Sequence, residues 1–266
     1  MPTVTALYRY PVKGFTPEKC ESLTVLPSGW VQGDRAFVFR FADAAPPNES
    51  GWRPKTNYAV LMNVPGLARA TLKYDDASRR LCIAFPDGTV SDAALDDSGR
   101  AKLAEAVAHY LASQDISPLN GHPEKLPLSL VGGGEGQHFH DGAPGRVSLH
   151  SRASLRALTA AVDDPELDER RFRSNIVIEG ANEWAELGWV GRRLRIGPPG
   201  RGATFQVVKA TVRCLATHAN PVTGERDCDV MNTLTRVFGH EKPLFGVTML
   251  PEKGGEVHVG DEVTLL

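Results

Sequence analysis

Along residues 1 to about 95, hydrophobic and polar positions alternate in short runs, "TVTALYRY", "ESLTVL", "AFVFRF", "RATLKY" and "RLCIAF", broken by "PSG", "DDAS" and "PDG". A period of two between turn-forming residues predicts strands that each turn one face to a core. Many short strands at close spacing suggest a barrel or sandwich. The period then changes. In "DDSGRAKLAEAVAHYLASQ", Leu103, Val107, Tyr110 and Leu111 fall on one helical face, so a helix closes the first unit.

The next stretch, "SPLNGHPEKLPLSLVGGGEGQHFHDGAPGRVSLH", is rich in Pro and Gly and reads as a domain boundary or a crossing loop. It divides the chain into residues 1–120 and 121–266. The run Gly132 to Gly134 lacks the Gly-Lys-Ser/Thr ending of a phosphate loop and reads as linker. Beyond it, Ser151 caps a helix carrying Leu155, Leu158 and Val162, and "SNIVIEG", "RLRIG" and "TFQVVKA" read as strands. A short helix with Met231, Leu234, Val237 and Phe238 stops at Gly239, before closing strands in "LFGVTML" and "DEVTLL". The fold class is mainly β with a few helices, α+β, with no internal repeat.

Composition narrows the functional classes. Hydrophobic residues make up 41% of the 266 and charged residues 23%, which excludes disorder and fibrous repeats. Thirty basic and 32 acidic residues give a formal charge of −2, so no general field draws the chain to nucleic acid or to an anionic membrane. Any anion must be held locally. No run reaches the roughly 18 apolar residues of a membrane span, and "MPTVTALYRYPVKGF" lacks a signal-peptide core. A soluble, cytoplasmic protein without nucleic-acid or membrane partners is expected. Cys20, Cys82, Cys214 and Cys228 are too scattered for a disulfide framework, and Cys20 and Cys82 read as structural.

Cys214 differs from the others. In "TVRCLATHANPVTGERD" it follows Arg213, lies where a strand stops, and precedes an Asn-Pro-Val-Thr-Gly turn. A thiolate there, favoured by a neighbouring cation, is a soft ligand or a nucleophile, against the plainer reading of a buried cysteine. Cys214, His218, Cys228 and His240 fall within 27 residues, but their spacing fits no closed zinc site. A cysteine hydrolase would draw its base from His138, His140 or His218, for none of which the sequence shows an orienting partner. Lys13 in "YPVKG", Arg35 in "QGDRAFVF" and Arg170, Arg171 and Arg173 in "RRFRSNIVI" suit phosphate binding or a solvated charged edge. Lys13 and Arg35 belong to the first unit, whereas Arg173 and Cys214 belong to the second. An anionic ligand between the units engages both.

With these elements in order, "LYRYPVKG", "GDRAFVF", "VSLHSRASLRAL", "RFRSNIVI", "VRCLATHANPVTGERD" and "GGEVHVGDEV", the chain resembles proteins with a molybdenum cofactor sulfurase C-terminal (MOSC) domain preceded by its N-terminal β-barrel domain. The resemblance runs from residue 6 to residue 263. It implies two strand-rich, barrel-like domains and an oxidoreductase similar to the amidoxime-reducing component of mitochondria and its bacterial relatives, carrying molybdenum on molybdopterin. Cys214 is then the metal ligand and the catalytic residue. Lys13, Arg35, Arg173 and Asn175 lie along the pterin and its phosphate, and Arg213 contacts the cofactor or stabilises the thiolate. The implied substrate is a small N-hydroxylated compound that loses oxygen in a two-electron reduction. Electrons are expected from a separate reductase or ferredoxin-type protein, since no iron–sulfur cysteine cluster follows the second domain. Two features depart from the family pattern. Asn220 stands where many relatives have aspartate, and "WRPKTNYAVLMNVP", with Lys55, replaces a Thr-Ala-Arg motif. The resemblance leaves Asp227 and Cys228 without assigned roles. The alternatives are a carrier of cofactor, or of sulfur as a Cys214 persulfide, without turnover, and a plain interaction protein with a structural Cys214.

Overall fold

The computed structural model describes residues 1–47, 53–133, 139–141, 147–162 and 167–266. Four strands open the chain, β1 (Thr3–Arg9), β2 (Glu18–Cys20), β3 (Ser22–Val25) and β4 (Phe37–Arg40). Next come β5 (Thr71–Asp75), β6 (Arg80–Ala84), β7 (Val90–Ala94), helix α1 (Asp97–Ala112) and β8 (Ser129–Gly132). The second half runs β9 (Val147–Ser151), α2 (Arg152–Ala161), β10 (Ile176–Glu179), β11 (Arg193–Ile196), β12 (Ala203–Val212) and α3 (Val230–Arg236). It ends with β13 (Leu244–Lys253), β14 (Gly255–His258) and β15 (Val263–Leu265). The protein is mainly β, as its residue pattern predicts.

Eight strands form one curled sheet in the order β15-β11-β12-β13-β9-β10-β1-β2. Alternation explains its inner face: Ala203, Phe205 and Val207 on β12 are buried at every second position, together with Val4, Leu149, Ile176, Leu194 and Val247 from its neighbours. β1 has β10 on one edge. Its other edge is shared by β2 and, through backbone bonds from Val4 N to Asp261 O, Gly260 N to Val4 O and Val263 N to Pro2 O, by the segment that leads into β15. The sheet thus curls until its first strand meets its last. Strand pairing crosses residue 120 freely, since β1 pairs with β10 and β3 with β14.

A second core lies under α1, where Leu103, Val107 and Leu111 pack with Phe37, Phe39, Leu67, Leu81 and Ile83 against the β5-β6-β7 sheet and the β4-β8 pair. The Asp96 carboxylate caps α1 by accepting from Gly99 N at 2.8 Å, and Ser151 caps α2 by accepting from Ala153 N at 3.1 Å.

Three expectations change. The Pro/Gly-rich stretch is not merely a linker, because it contains β8 and the beginning of β9, a central strand paired with both β13 and β10. α3 ends at Arg236, leaving Val237 62% exposed, while Gly239 at φ +69° does follow as a stop. β2 and β7 have no counterpart among the predicted strands: "EKC" is too short to show a period and "VSDAA" too polar, so pairing with β1 and β6 fixes them. Gly134 and His138 lie outside the described residues.

Candidate functional site

β12 carries the chain to the rim of a cleft of about 370 Å3 and stops. Cys214, with extended backbone at φ −130°, caps the 3-10 turn Leu215–His218, and its carbonyl accepts from both the backbone N and Oγ1 of Thr217 at 3.0 Å. The thiol is partly exposed to the cleft. Arg213 shares this lining, with three of its donors committed to the main chain. Nε and Nη2 donate to the carbonyl of Phe245, Nη1 donates to that of Phe172, and the guanidinium lies 5.5 and 5.6 Å from the centroids of the same two rings. Burial lowers its pKa to about 10. Arg213 therefore locks the end of β12 to β13.

The cations expected on the two halves meet in this cleft. Among the described residues, Lys13, Arg35, Lys55, Arg171, Arg173, Lys209 and Arg213 line it, against one lining carboxylate, Asp141. This excess favours an anionic ligand. Arg35 and Arg173 both have positive φ, 47° and 53°, a costly conformation for residues with a Cβ, and both guanidiniums lie 4.4 Å from the Tyr10 ring centroid. Arg35 is oriented by donating Nη1 to Asp34 at 2.5 Å and Nη2 to the Arg173 carbonyl at 2.9 Å. Burial lowers the Arg173 pKa to about 10, and Arg35 adds to that effect. Burial pushes the Asp34 carboxyl up, but Arg35 and His140 outweigh this and hold it well below the usual carboxylate range. Gly14 leaves room beside Lys13: at φ +89°, a Cβ there would lie 2.7 Å from Val60 Cα.

Asn175 is a fastener at the cleft wall. Its Oδ1 accepts from Ser148 N and Oγ, and its Nδ2 donates to Tyr8 O at 3.2 Å, tying β1, β9 and β10 together. Three further residues whose roles the resemblance left open have structural partners. Buried Arg171 donates to Asp227 Oδ1 at 2.7 Å and to His218 O at 2.9 Å. Asn220 donates to Asp227 and accepts from Val222 N and Thr223 N, which shapes the Asn-Pro-Val-Thr-Gly turn. Cys228 packs with Leu155, Phe172 and Leu234. His218 accepts from Met231 N through Nε2, and His240 packs on Trp184, so neither belongs to the Cys214 lining. His140 does line the cleft, its Nε2 3.3 Å from Asp34 Oδ2. Sequence reasoning missed Tyr10, Asp34, Asp141 and the paired hydroxyls of Thr211 and Thr248, 2.8 Å apart on β12 and β13. Asp141 and the threonine pair are recruited by pairing between distant segments and carry no local signature, whereas Tyr10 and Asp34 stand inside motifs from which only the neighbouring cations were read.

Among the described residues, no group of three His, Cys, Asp or Glu side chains is arranged to hold a metal ion. Cys214 thus offers one soft sulfur donor, beside cations suited to a phosphate. This donor set fits a metal that arrives on its own anionic organic ligand.

The family model for the MOSC N-terminal beta barrel domain matches residues 1–109, and that for the MOSC domain matches residues 136–264. The chain belongs to the MOSC-domain proteins. This MOSC protein is 33% identical to mitochondrial amidoxime-reducing component 1 of Homo sapiens over 189 residues, 64% of this chain and 52% of the relative. It is 36% identical to molybdenum cofactor sulfurase of Drosophila grimshawi over 125 residues, 44% of this chain and 15% of the relative. The match thus spans about half the length of the human protein and a small part of the fly protein. Among solved structures, the YUAD protein from Bacillus subtilis aligns with a TM-score of 0.44 at 12% identity, covering 100% of this chain and 96% of that chain. Among the described residues no helix is long and apolar enough to cross a membrane.

Proposed function

We propose that this MOSC protein is a molybdenum-cofactor oxidoreductase that reduces small N-hydroxylated compounds. The observation that carries the reading is a partly exposed thiol, Cys214, on a cleft lined, among the described residues, by seven Lys and Arg side chains and one carboxylate. A relative named for amidoxime reduction supports the substrate class. Cys214 would ligate the metal, while Lys13, Lys55, Arg35 and Arg173 would hold the phosphate of the pterin. Asp34 fixes Arg35 in its donating orientation, Asn175 braces the wall behind it, and Arg213 holds the strand end that presents Cys214. When bound, molybdopterin-held molybdenum supplies two-electron redox chemistry. In the overall reaction the N–O bond breaks, and two electrons and two protons convert the hydroxylamine-type nitrogen to N–H and release water. A separate reductase or ferredoxin-type protein supplies the electrons.

The sulfurase relative favours a second reading, in which Cys214 carries sulfur as a persulfide without substrate turnover. Metal analysis separates the two. Wild type and Cys214→Ser, purified from a host that makes molybdopterin, are assayed for molybdenum. About one metal per wild-type chain, lost in the variant, is expected for thiolate ligation. Equal, negligible metal in both overturns the oxidoreductase reading and favours the sulfur carrier.

A further inference from the structure

Lys13 and Lys55 lie on different segments, yet both reach one carboxylate: Lys13 Nζ is 2.8 Å from Asp141 Oδ1, and Lys55 Nζ is 2.6 Å from Oδ2. The Asp141 side chain is 54% exposed, against 12% for Lys13 and 28% for Lys55. The two residues before Asp141 are pinned to the same wall. Phe139 N donates to Arg35 O at 2.8 Å, the Phe139 ring meets Tyr58 edge-on, and His140 pairs with buried Asp34.

We propose that Asp141 is an internal counter-anion that occupies the phosphate subsite of the cleft and must be displaced by an incoming phosphate monoester; this rests on the functional reading above. The carboxylate presents one oxygen to each lysine. A phosphate monoester dianion presents three terminal oxygens and nearly twice the charge, so it satisfies both lysines and keeps an acceptor for a further cation. The Asp141 carboxylate also keeps two partly buried ammonium groups from facing each other unscreened when the subsite holds no ligand. Lys55 and Cys214 line the same cleft, and although burial lowers the Lys55 pKa, Asp141 outweighs it and holds it above the ordinary value. Displacing Asp141 thus frees two cations in the cleft that Cys214 also lines.

The test is calorimetric titration of inorganic phosphate into the full chain from a host unable to make molybdopterin, comparing wild type with Asp141→Asn. Removing the competitor is expected to tighten phosphate binding about tenfold, the scale of one or two partly exposed ion pairs. The gain is expected to vanish when Lys13→Met and Lys55→Met are added to Asp141→Asn. Equal affinity in wild type and Asp141→Asn overturns the proposal, as does a gain that survives loss of both lysines. Thermal melts confirm that each variant is folded, and Asp141→Ala repeats the comparison if Asp141→Asn is not. A second arm measures molybdenum retained by wild type and Asp141→Asn in a pterin-making host, which separates pterin phosphate from free phosphate as the ligand. Tighter phosphate binding with no molybdenum in either chain upholds the subsite and sinks the oxidoreductase reading. Molybdenum bound with unchanged phosphate affinity does the reverse.

Discussion

Arg213 grips the carbonyl oxygen of Phe245 with both Nε and Nη2, at 2.8 and 2.5 Å. With Nη1 on the Phe172 carbonyl, three of its five donors serve the main chain. Lysine keeps the charge but cannot span two carbonyls in this planar geometry. Arg213→Lys is therefore expected to lose about 2 kcal/mol or more of stability in urea unfolding. Phosphate affinity of the folded variant should stay near wild type. A large loss of affinity with unchanged stability would instead make Arg213 a direct ligand.

Tyr10 supports the two arginines with left-handed backbone. Its hydroxyl donates to Ser174 O at 3.2 Å, and its ring faces both guanidiniums. Tyr10→Phe removes one hydrogen bond and is expected to cost about 1 kcal/mol. Tyr10→Leu also removes the π face and should cost roughly 2–4 kcal/mol and weaken phosphate binding. Urea melts and calorimetry on the pair of variants separate ring from hydroxyl. Equal effects would show that the hydroxyl carries the whole contribution and the ring nothing that leucine does not supply.

His150 is fully buried against Phe172 and Phe245, and among the described residues neither ring nitrogen has a hydrogen-bond partner. Burial first, then Arg213 and Arg152, lowers its pKa from 6.5 to about 3. The unfolded chain therefore binds the proton more readily, and stability is lost as pH falls from 6.5 toward 3. One such group contributes a slope of up to about 1.4 kcal/mol per pH unit. His150→Leu should flatten the acid side of the curve of melting temperature against pH by this share. An unchanged curve would show that other groups set the acid limit.

Asn220 donates to Asp227 while its Oδ1 receives two backbone N–H groups of the turn. Burial raises the Asp227 pKa, but the hydrogen bonds from Asn220 and Arg171 lower it more. Asn220→Asp keeps the turn but sets two carboxylates together, so one of them gains a raised pKa in the folded state. The variant is expected to be about 1 kcal/mol less stable than wild type at pH 7, with the gap closing as pH falls through the carboxylate range. A gap that stays constant with pH would trace the loss to geometry instead of charge.

The sequence shows its strands where burial imposes a period. β1, β5, β6 and β12 carry alternating apolar residues, and α1 a single apolar face, so their own residues declare them. β9 begins beside glycine and proline and owes its central place to β10 and β13, which no local pattern encodes. The site divides in the same way. Lys13, Arg35, Arg173 and Cys214 stand in recognisable motifs, whereas Asp141 becomes part of the cleft only because two lysines from different segments converge on it. A half-exposed aspartate in a polar stretch has no sequence signature of such a role.

The pairing of β1 sets a schedule for synthesis. On the ribosome, Leu7 emerges early but must wait for Ile176, and Val4 for Asp261, before the edges of the strand are satisfied. At ordinary elongation rates that wait is on the order of tens of seconds. Through it, the nascent chain carries an open strand edge, the kind of surface on which other chains aggregate. The closed sheet is therefore a late product of a highly non-local pairing, formed only once residue 261 has been made.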